Sequence, residues 1–135
     1  MNVISVYSME YDCNRLPYLR KERDTVFSEE FLVNTPKCAY EVFNQVFFPG
    51  NKAEEYIYMI ACDVAGHVKG MFVVSHGGVT GTILNVQGIF ARALLCNASC
   101  IIIAHNHPSG VCNISKEDEA CCRKLTVACD IMGIT

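Results

Sequence analysis

Residues Ser99 to Ala104 form a short, mostly apolar run with Cys-Ile-Ile-Ile-Ala at its heart. A run of this length and branching is of the kind that fills a central strand, buried on both faces. Such a strand needs covering layers above and below it, and here helices are available to supply them. Apolar positions Ala39, Val42, Phe43, Val46 and Phe47 recur at helical spacing after Thr35-Pro36, a cap residue followed by a proline suited to the first helical position. Pro49-Gly50-Asn51 ends that helix. A second helix is expected over Val86–Asn97 and a third from Ser115 to about Cys129, with Gly133 as its stop. Tyr56–Cys62 and Val68–Ser75 are rich in aromatic and branched residues and flank the turn Asp63–His67, which predicts a hairpin. Val3–Met9 alternates loosely, as a strand would. Residues 10–30 carry ten charged groups around Pro17 and read as loop. Hairpins and crossovers mix in this order, so the expected fold is α/β, a mixed sheet flanked by helices.

Composition narrows the function classes. The chain has 135 residues, 51% of them hydrophobic, and a formal net charge of −3. That fits one domain and excludes whole-chain disorder. Lys and Arg total 11 and form only doublets such as Arg20-Lys21 and Arg123-Lys124, so a broad nucleic-acid surface is poorly supported. The start Met1-Asn2-Val3-Ile4-Ser5 has no basic region followed by an apolar one. The longest apolar neighbourhood, Gly88–Ala104, is broken by Arg92, Asn97 and Ser99, which leaves no membrane span. Nine cysteines without a single CxxC pair read as small buried thiols in a reducing compartment. A soluble cytoplasmic protein is expected.

The chemistry gathers in His105-Asn106-His107-Pro108-Ser109-Gly110 and Ser115-Lys116-Glu117-Asp118. Two histidines at i, i+2 leave the end of an apolar strand and converge if the chain is extended or turning there. A third ligand has to come from elsewhere. Asp118, eleven residues beyond His107, is the best candidate, and Glu117 points about 100° away around the helix. Two imidazoles and a carboxylate leave a fourth position on Zn²⁺ for water, the layout of a catalytic zinc. A general base is still needed, and Glu54 and Glu55 stand at the mouth of the first hairpin strand. Ser115-x-x-Asp118 is equally a capping box. His67 and His76 read as turn or surface residues, and Cys112 as a bystander in the site loop.

The string His105-x-His107-Pro108, seven residues, then Ser115-x-x-Asp118 resembles the JAMM (MPN+) metalloprotease motif. The fuller His-Asn-His-Pro-Ser-Gly resembles the RadC branch of that superfamily. The likeness covers Thr35 to Thr135 and includes Gly81-Thr82, Asn97-Ala98 and Gly133-Ile134. It implies a JAMM/MPN-like (cytidine-deaminase-like) α/β domain over residues 35–135, with 1–34 as a variable N-terminal segment. His105, His107 and Asp118 resemble the family's zinc ligands, Glu55 its catalytic glutamate (Glu54 if the register slips) and Ser115 the serine that polarises the scissile carbonyl. The implied activity is zinc-dependent hydrolysis of peptide or isopeptide bonds, with a protein or peptide as substrate and a homo-oligomer as one arrangement. The alternative is a non-catalytic or DNA-repair-associated accessory protein with a bound metal, for which a nucleic-acid partner has little support here. A two-metal nuclease would want more carboxylates. The chain departs from the family at Gln87, where an arginine is usual, and it stops before the family's final strand, which begins with an Asp-His pair.

Overall fold

The computed structural model describes residues 2–77, 84–110 and 116–135. Gly81, Thr82, Cys112 and Ser115, named above, lie outside the described residues. The elements run β1 (Asn2–Tyr11), β2 (Pro17–Phe27), α1 (Pro36–Phe47), β3 (Tyr56–Cys62), β4 (Val68–His76), α2 (Val86–Leu95), β5 (Cys100–His105) and α3 (Lys116–Met132). The strands form one mixed sheet in the order β2-β1-β4-β3-β5. Of the described strand pairs, only β1–β4 is parallel.

The most buried strand of the sheet is β3. Its run Tyr-Ile-Tyr-Met-Ile-Ala-Cys splits by parity, because successive side chains on a strand face opposite ways. Tyr58, Ile60 and Cys62 join the core under α1 with Val42, Phe43, Val46 and Phe47. Ile57, Met59 and Ala61 join the core under α2 with Phe72, Ile89 and Ala93. Both helices begin as their sequences dictate. Thr35 Oγ1 accepts from Cys38 N at 3.2 Å with Pro36 in the first turn, and Asn85 Oδ1 accepts from Gly88 N at 2.9 Å. The five apolar positions expected on one face of α1 are all buried.

Two expectations are corrected. Residues 17–27, read as loop, are strand β2, paired with β1 from Asn2↔Phe27 to Tyr11↔Pro17. Most of β2 is exposed, and residues 20–25 are polar without a break, so no apolar alternation marks it as a strand. The strand is held by its ladder and by contacts such as Arg20 Nε to Glu10 Oε2 at 2.9 Å, and its charges suit a sheet edge. The run at Cys100–Ala104, expected in the centre, lies at the opposite edge of the described sheet as β5, with every residue half-buried. Its outer side is met only at the base among the described residues, where Ile101 N donates to Thr135 O at 2.9 Å and Thr135 N donates to Ser99 O at 3.0 Å. That is the pattern of a parallel rung. Gly133, at φ +68, closes α3 as its sequence position suggested. Among the described residues no helix is long and apolar enough to cross a membrane.

Candidate metal centre

Antiparallel pairing of β3 with β5 brings the start of one strand to the end of the other, with Ile57 opposite His105. Glu55 precedes β3 by one residue and therefore arrives beside the two histidines that leave β5. His105 Nδ1 lies 3.3 Å from Glu55 Oε1, and the two imidazole centroids are 4.4 Å apart with planes at 60°. Glu55, His105 and His107 each offer one ligand atom, and these three atoms all lie within 4.8 Å of one another. All three residues are partly buried, and the Glu55 side chain is only 14% exposed. The loop beyond is a turn in which Gly110 N donates to His107 O at 2.9 Å, with Pro108 at its second position and Gly110 at φ +75.

Glu54 takes a different course. Its Oε2 meets His76 Nε2 at 2.7 Å, and His76 stacks on Tyr56 at 4.0 Å between centroids. The structure thus brings Glu55, not Glu54, to the histidine pair, and gives His76 a structural partner that its sequence position did not announce. Asp118 is half-buried in the first turn of α3 and is not a member of the three-residue group. Cys62 and Cys100 face each other across β3 and β5 at the far end of the ladder, away from this centre. Burial first, and then Cys100, push the Cys62 thiol up to about 12.

Asn106 is the residue that sequence reasoning missed. Its Oδ1 accepts from Tyr56 N at 2.7 Å, and its Nδ2 donates to Glu54 O at 2.9 Å. Its place between the two histidines was the available signal, but its partners lie about fifty residues earlier in the chain. A cleft of about 480 Å³ opens beside the group, lined by Tyr40, Phe43, Tyr58, Ala104 and both histidines.

Residues 33–135 match the RadC-like JAB domain family. The chain belongs to the RadC-like JAB domain family. Proteins named UPF0758 are among its relatives. One from Salinibacter ruber is 30% identical over 115 residues, 85% of this chain and 48% of the relative. One from Haemophilus ducreyi is 37% identical over 103 residues, 76% of this chain and 45% of the relative. One from Actinobacillus pleuropneumoniae serotype 5b is 46% identical over 59 residues, 44% of this chain and 27% of the relative. The chain spans about half or less of the length of these curated relatives. The mixed five-stranded sheet with three helices agrees with the JAB/MPN-like fold that the family carries.

The donor set fits a divalent metal. Imidazole nitrogen and carboxylate oxygen are ordinary zinc ligands, and their spacing here lets one ion reach all three. What is established is therefore a metal-dependent type of JAB domain with a candidate His/Glu centre.

Proposed function

We propose that this domain is a zinc-dependent hydrolase of peptide or isopeptide bonds. The observation that carries the proposal is the gathering of Glu55, His105 and His107 at the end of an apolar cleft, in a chain of the RadC-like JAB family. The wider JAB/MPN family includes metalloproteases. His105 and His107 hold the metal, with Asp118 as third ligand. Zinc, when bound, supplies Lewis acidity that polarises a carbonyl and makes water a nucleophile near neutral pH. Glu55 takes the proton of the attacking water on its carboxylate and returns it to the leaving nitrogen, as general base and then general acid. Ser115 donates to the oxygen of the scissile carbonyl and stabilises the charge that develops there. The cleft walls, Tyr40, Phe43 and Ala104, exclude water from an apolar substrate side chain next to the reacting bond. Cytoplasmic residence belongs to the proposal as well. Its support is that the eight cysteines among the described residues are all unpaired thiols.

The three-residue geometry favours a second reading of one detail, in which Glu55 is itself a ligand. A single set of variants separates the two. Glu55→Gln keeps its zinc and loses hydrolysis if Glu55 is the base, whereas Asp118→Ala loses zinc. Loss of zinc from Glu55→Gln with retention in Asp118→Ala makes Glu55 the ligand. Peptides, ubiquitin-like isopeptide conjugates and single-stranded DNA are offered in parallel to wild type and Glu55→Gln. Cleavage of the DNA alone would overturn the proposed substrate class.

A further inference from the structure

We infer that Asn106 is a positioning residue, a strut that holds the Glu55 carboxylate in the same frame as the two imidazoles. The inference rests on the reading of Glu55 as the proton-handling group. Glu55 lies outside the ladder, since β3 begins at Tyr56 and β5 ends at His105. No main-chain carbonyl of β5 is therefore in position for Tyr56 N–H, and Asn106 Oδ1 takes that place at 2.7 Å. The same amide reaches back through Nδ2 to Glu54 O at 2.9 Å, with a longer contact to Pro49 O at 3.4 Å. From the opposite side, Gly77 N donates to Glu55 O at 2.9 Å. Both peptide planes that flank the Glu55 Cα are thus tied down, so φ and ψ of Glu55 are fixed and only side-chain torsions remain free. The tie comes from the residue between His105 and His107, so the base and the imidazoles share one rigid support. Catalytic groups need this kind of backing, because small misplacements cost large factors in rate.

The bond pattern explains the residue type. Tyr56 N–H requires an acceptor and Glu54 C=O requires a donor, and a carboxamide presents both in one plane. Aspartate has the same size but cannot donate to Glu54 O. Alanine removes both legs.

The test uses Asn106→Ala, with Asn106→Asp as the variant of equal size should the alanine protein fail to fold. Hydrogen exchange of the Tyr56 amide, zinc content, and kcat and KM on a substrate found in the screen are measured together. In Asn106→Ala the Tyr56 amide should exchange at least tenfold faster than in wild type. Zinc should stay at its wild-type level, and kcat should fall at least tenfold with KM within twofold. Asn106→Asp should keep most of the Tyr56 protection and still lose kcat. In a Glu55→Gln background the residual rate should not fall further, because the strut acts through Glu55. Unchanged Tyr56 protection in Asn106→Ala, or an equal kcat loss in the Glu55→Gln background, overturns the inference. If wild type cleaves nothing in the screen, the hydrolase reading fails, and Tyr56 exchange still decides the strut.

Discussion

Replacing Tyr58 with phenylalanine takes one oxygen atom out of the buried core beneath α1. Tyr58 is 1% exposed and stacks on Phe47 at 4.5 Å and on Tyr56 at 5.7 Å between centroids. Its hydroxyl is buried and has no hydrogen-bond partner among the described residues. A buried polar group left unpaired costs about 1–3 kcal/mol. The substitution keeps every ring contact and removes that cost, so it should stabilise the protein by ~1 kcal/mol at neutral pH. At roughly 2.1 cal/mol/K of unfolding entropy per residue, a chain of this length gains about 4 °C in Tm for each kcal/mol. Tyr58→Ala is the opposite case, because it leaves a cavity beneath α1 and should lose about 3–5 kcal/mol. The pH dependence adds a second check. Burial first, and then Tyr56, push the Tyr58 phenol up to about 12. A raised phenol pKa favours the folded state fully below the unfolded value near 10. That contribution fades as pH rises from about 10 through 12, by at most ~1.4 kcal/mol per pH unit. The advantage of Tyr58→Phe over wild type should therefore widen between pH 10 and 11. Urea unfolding of both proteins at pH 7 and pH 11 measures these differences. A lower midpoint for Tyr58→Phe at pH 7 would refute the reasoning, since it would mean that the hydroxyl is making a bond worth keeping.

Other substitutions follow from the same contacts. At Gly88 an added Cβ would lie 2.5 Å from Asn85 Nδ2 and 2.9 Å from Arg92 Nη1, so Gly88→Ala displaces the cap of α2. The lost cap and the disturbed Arg92 together outweigh the ~1 kcal/mol that alanine gains in a helix interior, for a net loss of about 1 kcal/mol by urea unfolding; a gain in midpoint would contradict this. Thr35→Ala removes the acceptor for Cys38 N and should cost ~1 kcal/mol in the same assay, with no effect on zinc content. A thiol reagent at pH 8 should label exposed Cys13 and Cys122 quickly and reach Cys62 only on unfolding, because burial keeps that thiol protonated; fast labelling of Cys62 in the native protein would disprove that burial.

What could be read from the sequence was what local pattern encodes. The first helix announced itself through Thr35-Pro36 and a 3.6-residue apolar repeat, and the β3–β4 hairpin through its aromatic and branched residues. The strand β2 could not be read that way, because residues 20–25 are polar without a break and its pairing with β1 is a non-local fact. The edge position of β5 was hidden for a related reason. An apolar run reports that two faces are covered, and it does not report which strands lie beside it. At the site, His105 and His107 stood out by spacing, and a resemblance singled out Glu55. The tie through Asn106 depends on backbone groups of Glu54 and Tyr56, which no side-chain pattern reveals.

Zinc stoichiometry tests the central claim most directly. Wild-type protein and His107→Ala are equilibrated with zinc, freed of unbound ion, and compared by elemental analysis. The geometry of Glu55, His105 and His107 predicts about one zinc per chain in wild type and its loss on substitution. Zinc retained at full stoichiometry by folded His107→Ala, or none held by wild type, would contradict the account.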